Sequence, residues 1–221
     1  MIYTIGGIKG GSGKSTIATN LAIMLHLAGR DVLLVDADDQ ETATDFTFWR
    51  NETLGEKGTG YTAIQLSNMA VRTQVLNLRD KYDDIVIDTG GRDTTSQRAA
   101  LAVSDVFIVP FIPRSFDIWT LEKVVQLIGE MSAANPELIA VAVLNKTDPK
   151  GSDNDDARSF LSEDEKAREL LRVLDTPLGH RKAYANAAAK GLSVVELRPK
   201  DPKAIEEMQN LFNVVLNLKQ S

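Results

Sequence analysis

The stretch Ile8-Lys9-Gly10-Gly11-Ser12-Gly13-Lys14-Ser15-Thr16 places two lysines around a run of glycines, directly after the apolar opening Ile2-Tyr3-Thr4-Ile5. Glycines let a backbone fold into a nest whose N–H groups converge on phosphate oxygens. A helix starting near Lys14 adds the positive end of its dipole at the same spot. In that arrangement Lys14 reaches the β- and γ-phosphates of a nucleoside triphosphate, and the Ser15 hydroxyl is placed for Mg2+. Gly10, Gly11, Ser12, Gly13, Lys14, Ser15 and Thr16 are therefore the candidate nucleotide-binding residues. The usual pattern G-x-x-x-x-G-K-S/T asks for glycine where this chain has Ile8. The match is to a more specific variant, K-G-G-x-G-K-S/T, whose extra cation is Lys9. A glycine-rich turn without a ligand is the competing reading, and the order strand, loop, helix speaks against it.

Carboxylates stand where a second group of ligands is needed. Asp36-Ala37-Asp38-Asp39-Gln40 follows the apolar run Val32–Val35, and Asp88 follows Ile85-Val86-Ile87 and precedes Thr89-Gly90-Gly91. An apolar strand ending in aspartate beside a phosphate loop is the Walker B arrangement, in which the carboxylate holds Mg2+ through its water shell. Asp88 is the candidate for that role, with Ser15 and Asp36 as further metal-side residues. Asp38 falls near the γ-phosphate and is the candidate for orienting the attacking water. The plainer alternative for Asp36 and Asp38 is a cap or turn. Further on, Asn145-Lys146-Thr147-Asp148 matches N-K-x-D. An aspartate there can accept from both guanine N1–H and N2–H2, which adenine does not offer; Asp148 beside Pro149 can equally be a turn residue.

These residues have to be positioned by alternating strands and helices. Ile2–Ile5, Val32–Val35, Ile85–Ile87, Val106–Val109 and Ile139–Leu144 read as strands with the continuous hydrophobicity of a sheet covered on both faces. Helices are expected over 14–28, ended by Gly29, and over 61–80, 94–103, 117–133, 162–174 and 202–218. Ser162 and Glu165 would form a capping box, and Ile205, Met208, Leu211, Phe212 and Val215 one apolar stripe. The alternation predicts right-handed βαβ crossovers, hence an α/β three-layer sandwich with a mostly parallel central sheet and ligands at the carboxyl ends of its strands.

With 221 residues the chain can bury a full core as one domain spanning 1–221, with the acidic segment 150–161 as the candidate mobile insertion. It has no cysteine, which excludes disulfides, thiolate chemistry and Cys-ligated metal centres. Its histidines are His26 and His180, without an H-E-x-x-H pair for zinc. The N-terminus enters a strand directly and no apolar run approaches the ~18 residues of a membrane span, so the expectation is a cytoplasmic protein. A net charge of −6 argues against nucleic-acid binding over the whole surface. Beyond Gly179, however, Arg181, Lys182, Lys190, Arg198, Lys200, Lys203 and Lys219 outnumber Glu196, Asp201, Glu206 and Glu207. A local basic face and an ordinary solvated surface are both open from charge alone.

Taken together, the phosphate-loop variant, Val35-Asp36-Ala37-Asp38-Asp39-Gln40 and Ile85-Val86-Ile87-Asp88 resemble the deviant Walker A ATPases of the ParA/MinD superfamily. Order, spacing and length are similar to the small plasmid-partition ParA proteins that lack an N-terminal helix-turn-helix domain. Departures are Asp39, where the family usually has proline, and the Thr89-Gly90-Gly91 turn, where a proline is more usual. The resemblance implies a SIMIBI-type P-loop NTPase using ATP and Mg2+. It implies that Lys9 crosses a dimer interface to the phosphates held by the other subunit, and that an asparagine, here Asn145, meets adenine. It also implies an ATP-dependent homodimer that binds DNA nonspecifically through its C-terminal part. The DNA-binding candidates are Arg181, Lys182, Arg198, Lys200 and Lys203, and a ParB-like or centromere-binding adaptor would trigger hydrolysis. The expected location is nucleoid-associated, without a membrane anchor. A MinD-like or conjugation or polar-localisation ATPase acting on a membrane or protein is the alternative, and a metabolic ligase or reductase of the same superfamily a further one.

Overall fold

Residues along each central strand divide between two apolar layers. Val32 and Leu34 join one buried cluster while Leu33 and Val35 join another. Val106 and Ile108 face the same way as Val32, and Phe107 and Val109 face opposite. That alternation buries both faces of the sheet and requires helices on each. The computed structural model describes residues 1–113, 118–148, 154, 157, 159, 161 and 163–219, with 118 and 119 described by their backbone alone.

Among these residues the strands are β1 (Ile2–Ile5), β2 (Val32–Ala37), β3 (Thr62–Gln65), β4 (Asp84–Thr89), β5 (Val106–Phe111), β6 (Ile139–Thr147), β7 (Arg172–Val173) and β8 (Leu178–Gly179). The helices are α1 (Lys14–Leu27), α2 (Thr42–Leu54), α3 (Met69–Leu78), α4 (Thr95–Leu101), α5 (Ile118–Ala134), α6 (Glu165–Leu170), α7 (Lys182–Ala188) and α8 (Pro202–Leu216). The sheet runs β3-β2-β4-β1-β5-β6-β7, with β8 also on β6, and every described ladder is parallel. Helices α1, α2, α7 and α8 contribute Ile17, Phe46, Ala187 and Met208 to one layer. Helices α3 and α4 contribute Val71 and Ala99 to the other, and α5 and α6 contribute Leu121 and Ala167. The expected three-layer α/β sandwich is the architecture found.

Three local expectations are corrected. The helix expected over 61–80 is an edge strand, β3, followed by α3: β3 gains its hydrogen bonds from β2, and Asn68 at φ 53° cannot lie inside a helix. The helix expected over 162–174 ends at Leu170, and Arg172–Val173 then pairs with β6. Its cap is Asp164, which accepts from the Ala167 amide at 2.7 Å; Ser162, the expected cap, lies outside the described residues. Two helices give no apolar stripe in the sequence. The buried side of α2 is Ala43, Phe46 and Arg50, one of them charged, and α7 buries only two alanines.

The apolar stripe of α8 is core: Ala204, Met208, Leu211 and Val215 are buried, with Ile205 and Phe212 partly so. Among the described residues no helix is long and apolar enough to cross a membrane. Most of segment 150–161 lies outside the described residues, but Ala157 and Leu161 are buried in the cluster that contains Leu121 and Ile128.

Candidate functional site

Strand β1 delivers the chain at Ile5 into the glycine loop, which ends where α1 begins at Lys14. Gly13 takes φ 95° at the helix start, and a Cβ there would lie 2.1 Å from Asn145 Nδ2. Only glycine permits both that turn and that approach. Asn145 sits near the end of β6 and fastens the loop, donating to the Ser12 carbonyl at 2.6 Å while accepting from the Lys146 amide at 2.8 Å. Lys146 reaches the same loop and donates to the Gly11 carbonyl at 2.7 Å. The Lys9 carbonyl accepts from Lys14 Nζ at 3.1 Å and from the Ser12 hydroxyl at 3.4 Å.

The carboxylates arrive through strand register. In the β2–β4 ladder Asp36 pairs with Asp88, and in the β1–β4 ladder Asp88 pairs with Ile5, so both acids stand beside the start of the loop. They differ in their surroundings. Both oxygens of Asp36 are used: Oδ2 accepts from the Thr44 amide at 2.7 Å and its hydroxyl at 2.8 Å, and Oδ1 from the Asp38 amide at 3.2 Å. Asp36 thus braces the segment leading into α2. Asp88 is fully buried, and neither of its oxygens has a hydrogen-bond partner among the described residues. Burial pushes its carboxyl up to about 8; the nearby Ser15 hydroxyl and Lys14 pull it down, and Asp36 and Asp38 raise it further. Ser15 is thus close enough to favour the carboxylate but falls short of hydrogen-bond geometry. Desolvation likewise lowers the Lys14 ammonium, opposed by the negative charges of Asp88 and Asp38.

Asp38 is partly exposed and accepts from the Gln40 amide at 3.2 Å. Gly91 packs so closely on the loop that a Cβ would lie 2.8 Å from the Gly10 nitrogen. The loop, Asp38 and this turn enclose a cleft of about 740 Å³. Its wall includes Gly10, Gly11, Gly13, Lys14, Ser15 and Thr16, together with Asp38, and it collects the converging loop amides, a cation and hard oxygen donors. Such a wall suits a triphosphate. Among the described residues no group of three or more His, Cys, Asp or Glu side chains can hold a metal alone. An orphaned carboxylate beside a serine hydroxyl fits Mg2+ that completes its shell with phosphate oxygens and water.

Several cleft residues carried no signal in the sequence reading. Arg92, Thr94 and Thr42 line the wall, beside Gln40 of the already singled-out Asp36–Gln40 run. Gln97 of α4, fully buried, accepts from the Gly7 amide at 3.0 Å and the Thr89 hydroxyl at 3.0 Å, linking the loop to the turn after Asp88. A glutamine inside a helix has no pattern to reveal it; the Gly90-Gly91 pair was the readable clue to the turn.

The basic candidates lie elsewhere. Lys182 opens α7, and Arg198, Lys200 and Lys203 are exposed around Pro199 and Pro202 at the start of α8. Arg181 is partly buried and held by Glu207, with Nε–Oε2 at 2.9 Å and Nη2–Oε1 at 2.6 Å, so its charge is largely answered within the chain.

A family model, the CobQ/CobB/MinD/ParA nucleotide binding domain, matches residues 3–194. The maintenance of carboxysome distribution protein A of Halothiobacillus neapolitanus is 28% identical over 214 residues, covering 96% of this chain and 94% of that protein. Among solved structures, an ATP complex of a Cyanothece McdA variant superposes with a TM-score of 0.78 at 15% identity, covering 97% of this chain and 95% of that one. A plasmid partition protein from Borrelia burgdorferi bound to AMPPNP gives 0.70 at 21% identity, covering 98% of each chain. At these identities the structural likeness is one of fold, and the family rests on the match across residues 3–194. On that match, and with a phosphate loop, two strand-end aspartates and a parallel sheet, the chain belongs to the CobQ/CobB/MinD/ParA nucleotide-binding family, the P-loop ATPases of ParA and MinD type.

Proposed function

We propose that this chain is a ParA-type positioning ATPase working as one nucleotide-binding domain. ATP brings two copies together as a sandwich dimer that binds DNA without sequence preference, and hydrolysis resets it. The observation that carries the reading is a loop-walled cleft lined by Lys14, Ser15 and Asp38, with the buried, orphaned Asp88 close enough to Lys14 to act on its charge. The loop amides and the α1 dipole hold the phosphates, and Lys14 answers their charge. Ser15 and Asp88, with Asp36 behind them, are the residues for Mg2+, which when bound neutralises charge between the β- and γ-phosphates. Asp38 orients the attacking water. Asn145, while clamping the loop, retains an amide hydrogen and a lone pair for adenine.

Lys9 reaches across to the phosphates in the second copy, which makes the nucleotide part of the interface and its hydrolysis a population switch. Lys182, Arg198, Lys200 and Lys203 supply the phosphate contacts to DNA, doubled in a dimer; Arg181 contributes less, because Glu207 holds it. The buried stripe of α8 leaves that helix without an apolar face for a membrane, which supports DNA as the surface acted on. A ParB-like or centromere-binding adaptor triggers hydrolysis, and the cargo is a plasmid, a chromosome region or a protein assembly, with the protein held at the nucleoid in the cytoplasm. That one relative is named for carboxysome distribution and a structural neighbour for plasmid partition supports cargo positioning as the shared theme.

The test measures ATP hydrolysis, sedimentation and binding to nonspecific duplex DNA at two salt concentrations, for the natural chain and for Lys9→Ala. The natural chain is expected to dimerise only with ATP and to bind DNA with an affinity that falls steeply with salt, while Lys9→Ala stays monomeric. Indifference of turnover and dimerisation to DNA, or a full-strength ATP-dependent dimer from Lys9→Ala, would overturn the reading.

A further inference from the structure

Helix α2 carries a surface feature that neither the cleft nor the basic segment uses. Phe48 and Trp49 are 57% and 53% exposed, and their rings meet edge to face with centroids 5.4 Å apart. Single exposed apolar side chains are ordinary, but two aromatics in edge-to-face contact form a continuous apolar patch. The spacing of Asp45, Phe48, Trp49 and Glu52 puts them on one stripe of the helix, with carboxylates at both ends of the aromatic pair. Glu41 and Glu56, both exposed, extend the acidic border beyond the helix on either side.

The opposite side of α2 is fixed. Ala43 and Phe46 are buried, and the cation of the helix, Arg50, points inward to Glu196, with Nη1–Oε2 at 2.8 Å and Nη2–Oε1 at 2.9 Å. The stripe is therefore presented on a rigid element, which reduces the ordering cost of docking. Its carboxylates disfavour DNA and anionic lipid. A second copy docking stripe to stripe would set these acids against one another. A cationic, partly apolar protein segment fits instead, because arginine or lysine can lie over the indole and pair with Asp45 and Glu52 while apolar side chains cover Phe48.

We propose that the Phe48–Trp49 stripe of α2 is the docking surface for a cationic segment of a partner protein in which arginine or lysine is interleaved with apolar residues. The inference goes beyond the nucleotide reading and does not depend on it. Thr42, the first residue of the same helix, lines the cleft, so docking here sits one helix away from the segment carrying Asp38.

The test selects short random peptides displayed on phage against the full chain and measures their affinity by Trp49 fluorescence in a Trp119→Phe background. Selected peptides are expected to combine Arg or Lys with apolar residues. Their Kd should rise about tenfold or more in Phe48→Ser/Trp49→Ser and in Asp45→Lys/Glu52→Lys, measured by calorimetry. All of these side chains are exposed, so melting temperature and ATP turnover should match the natural chain. Selected peptides without cations, affinity unchanged in both double variants, or no selected binder would overturn the proposal. So would self-association or binding to anionic vesicles that disappears in Phe48→Ser/Trp49→Ser, because either would assign the stripe a different occupant. Failure here leaves the ATP-dependent dimer untouched, and failure of that dimer leaves the peptide result standing.

Discussion

Burying a carboxylate without a hydrogen bond opposes folding unless something else binds it, and Asp88 is buried in that condition at the end of β4. Its ladder neighbour Asp36 has three protein donors and no such debt. Replacing Asp88 by Asn keeps the shape and removes the ionisable group, whose charge burial disfavours. In EDTA, without nucleotide, Asp88→Asn is expected to stabilise the chain by about 1–3 kcal/mol. At roughly 2–4 °C per kcal/mol for a domain of this size, that is a clear rise in melting temperature. The same variant should lose Mg2+-dependent ATP hydrolysis. Calorimetry decides it: an unchanged or lower melting temperature means that Asp88 has a structural partner and is not poised for a ligand.

At the scale of elements, α2 is held to the segment 191–196 by charge, in addition to the apolar contacts of Ala43 and Phe46. Arg50 is 2% exposed and satisfies Glu196, the Thr59 carbonyl at 2.7 Å and the Gly191 carbonyl at 3.0 Å. Asn20 of α1 grips the same region, accepting from the Ser193 hydroxyl at 2.7 Å and the Val194 amide at 2.9 Å. Removing one partner of a buried ion pair leaves the other desolvated and alone. Arg50→Ala is therefore expected to lower stability by about 3–5 kcal/mol in urea denaturation; a loss under 1 kcal/mol would show that α2 is held by Ala43 and Phe46 alone. This helix also marks where sequence reading fails. A charged residue in the buried face erases the apolar periodicity, whereas α1 and α8, with Ile17, Leu21, Met208 and Leu211 in their buried faces, were legible.

Over the whole molecule, the two ends of the chain meet at Asp105, beside the start of β5. Its carboxylate accepts from the Ile2 amide at 2.7 Å and pairs with Lys219. Burial raises its pKa, but Lys219, the Ile2 amide and the terminal amino group outweigh that and hold it below the ordinary range. For a carboxyl lowered by folding, the contribution to stability is full above the ordinary value of 3.8 and is lost as pH falls through the lowered one. Asp105→Asn should therefore melt a few degrees lower than the natural chain at neutral pH, with the gap closing in acid. A gap that stays constant down to acid pH would mean that the charge plays no part.

Sequence alone determined what depends on short spacing. The glycine–lysine loop, the apolar strands ending in Asp36 and Asp88, and the alternation that forces a parallel sheet are all local patterns set by backbone geometry and period. The family follows from them and is borne out over residues 3–194. Tertiary structure decided what depends on neighbours distant in the chain. β3 exists because β2 offers a free edge, and Asp36 and Asp88 differ because only one of them finds donors. Asn145 clamps the loop from 133 residues away, and Arg181 meets Glu207 across 26 residues. Hydrogen bonding and desolvation act through space, so two aspartates or two arginines that look alike in the sequence take different roles once folding has chosen their surroundings.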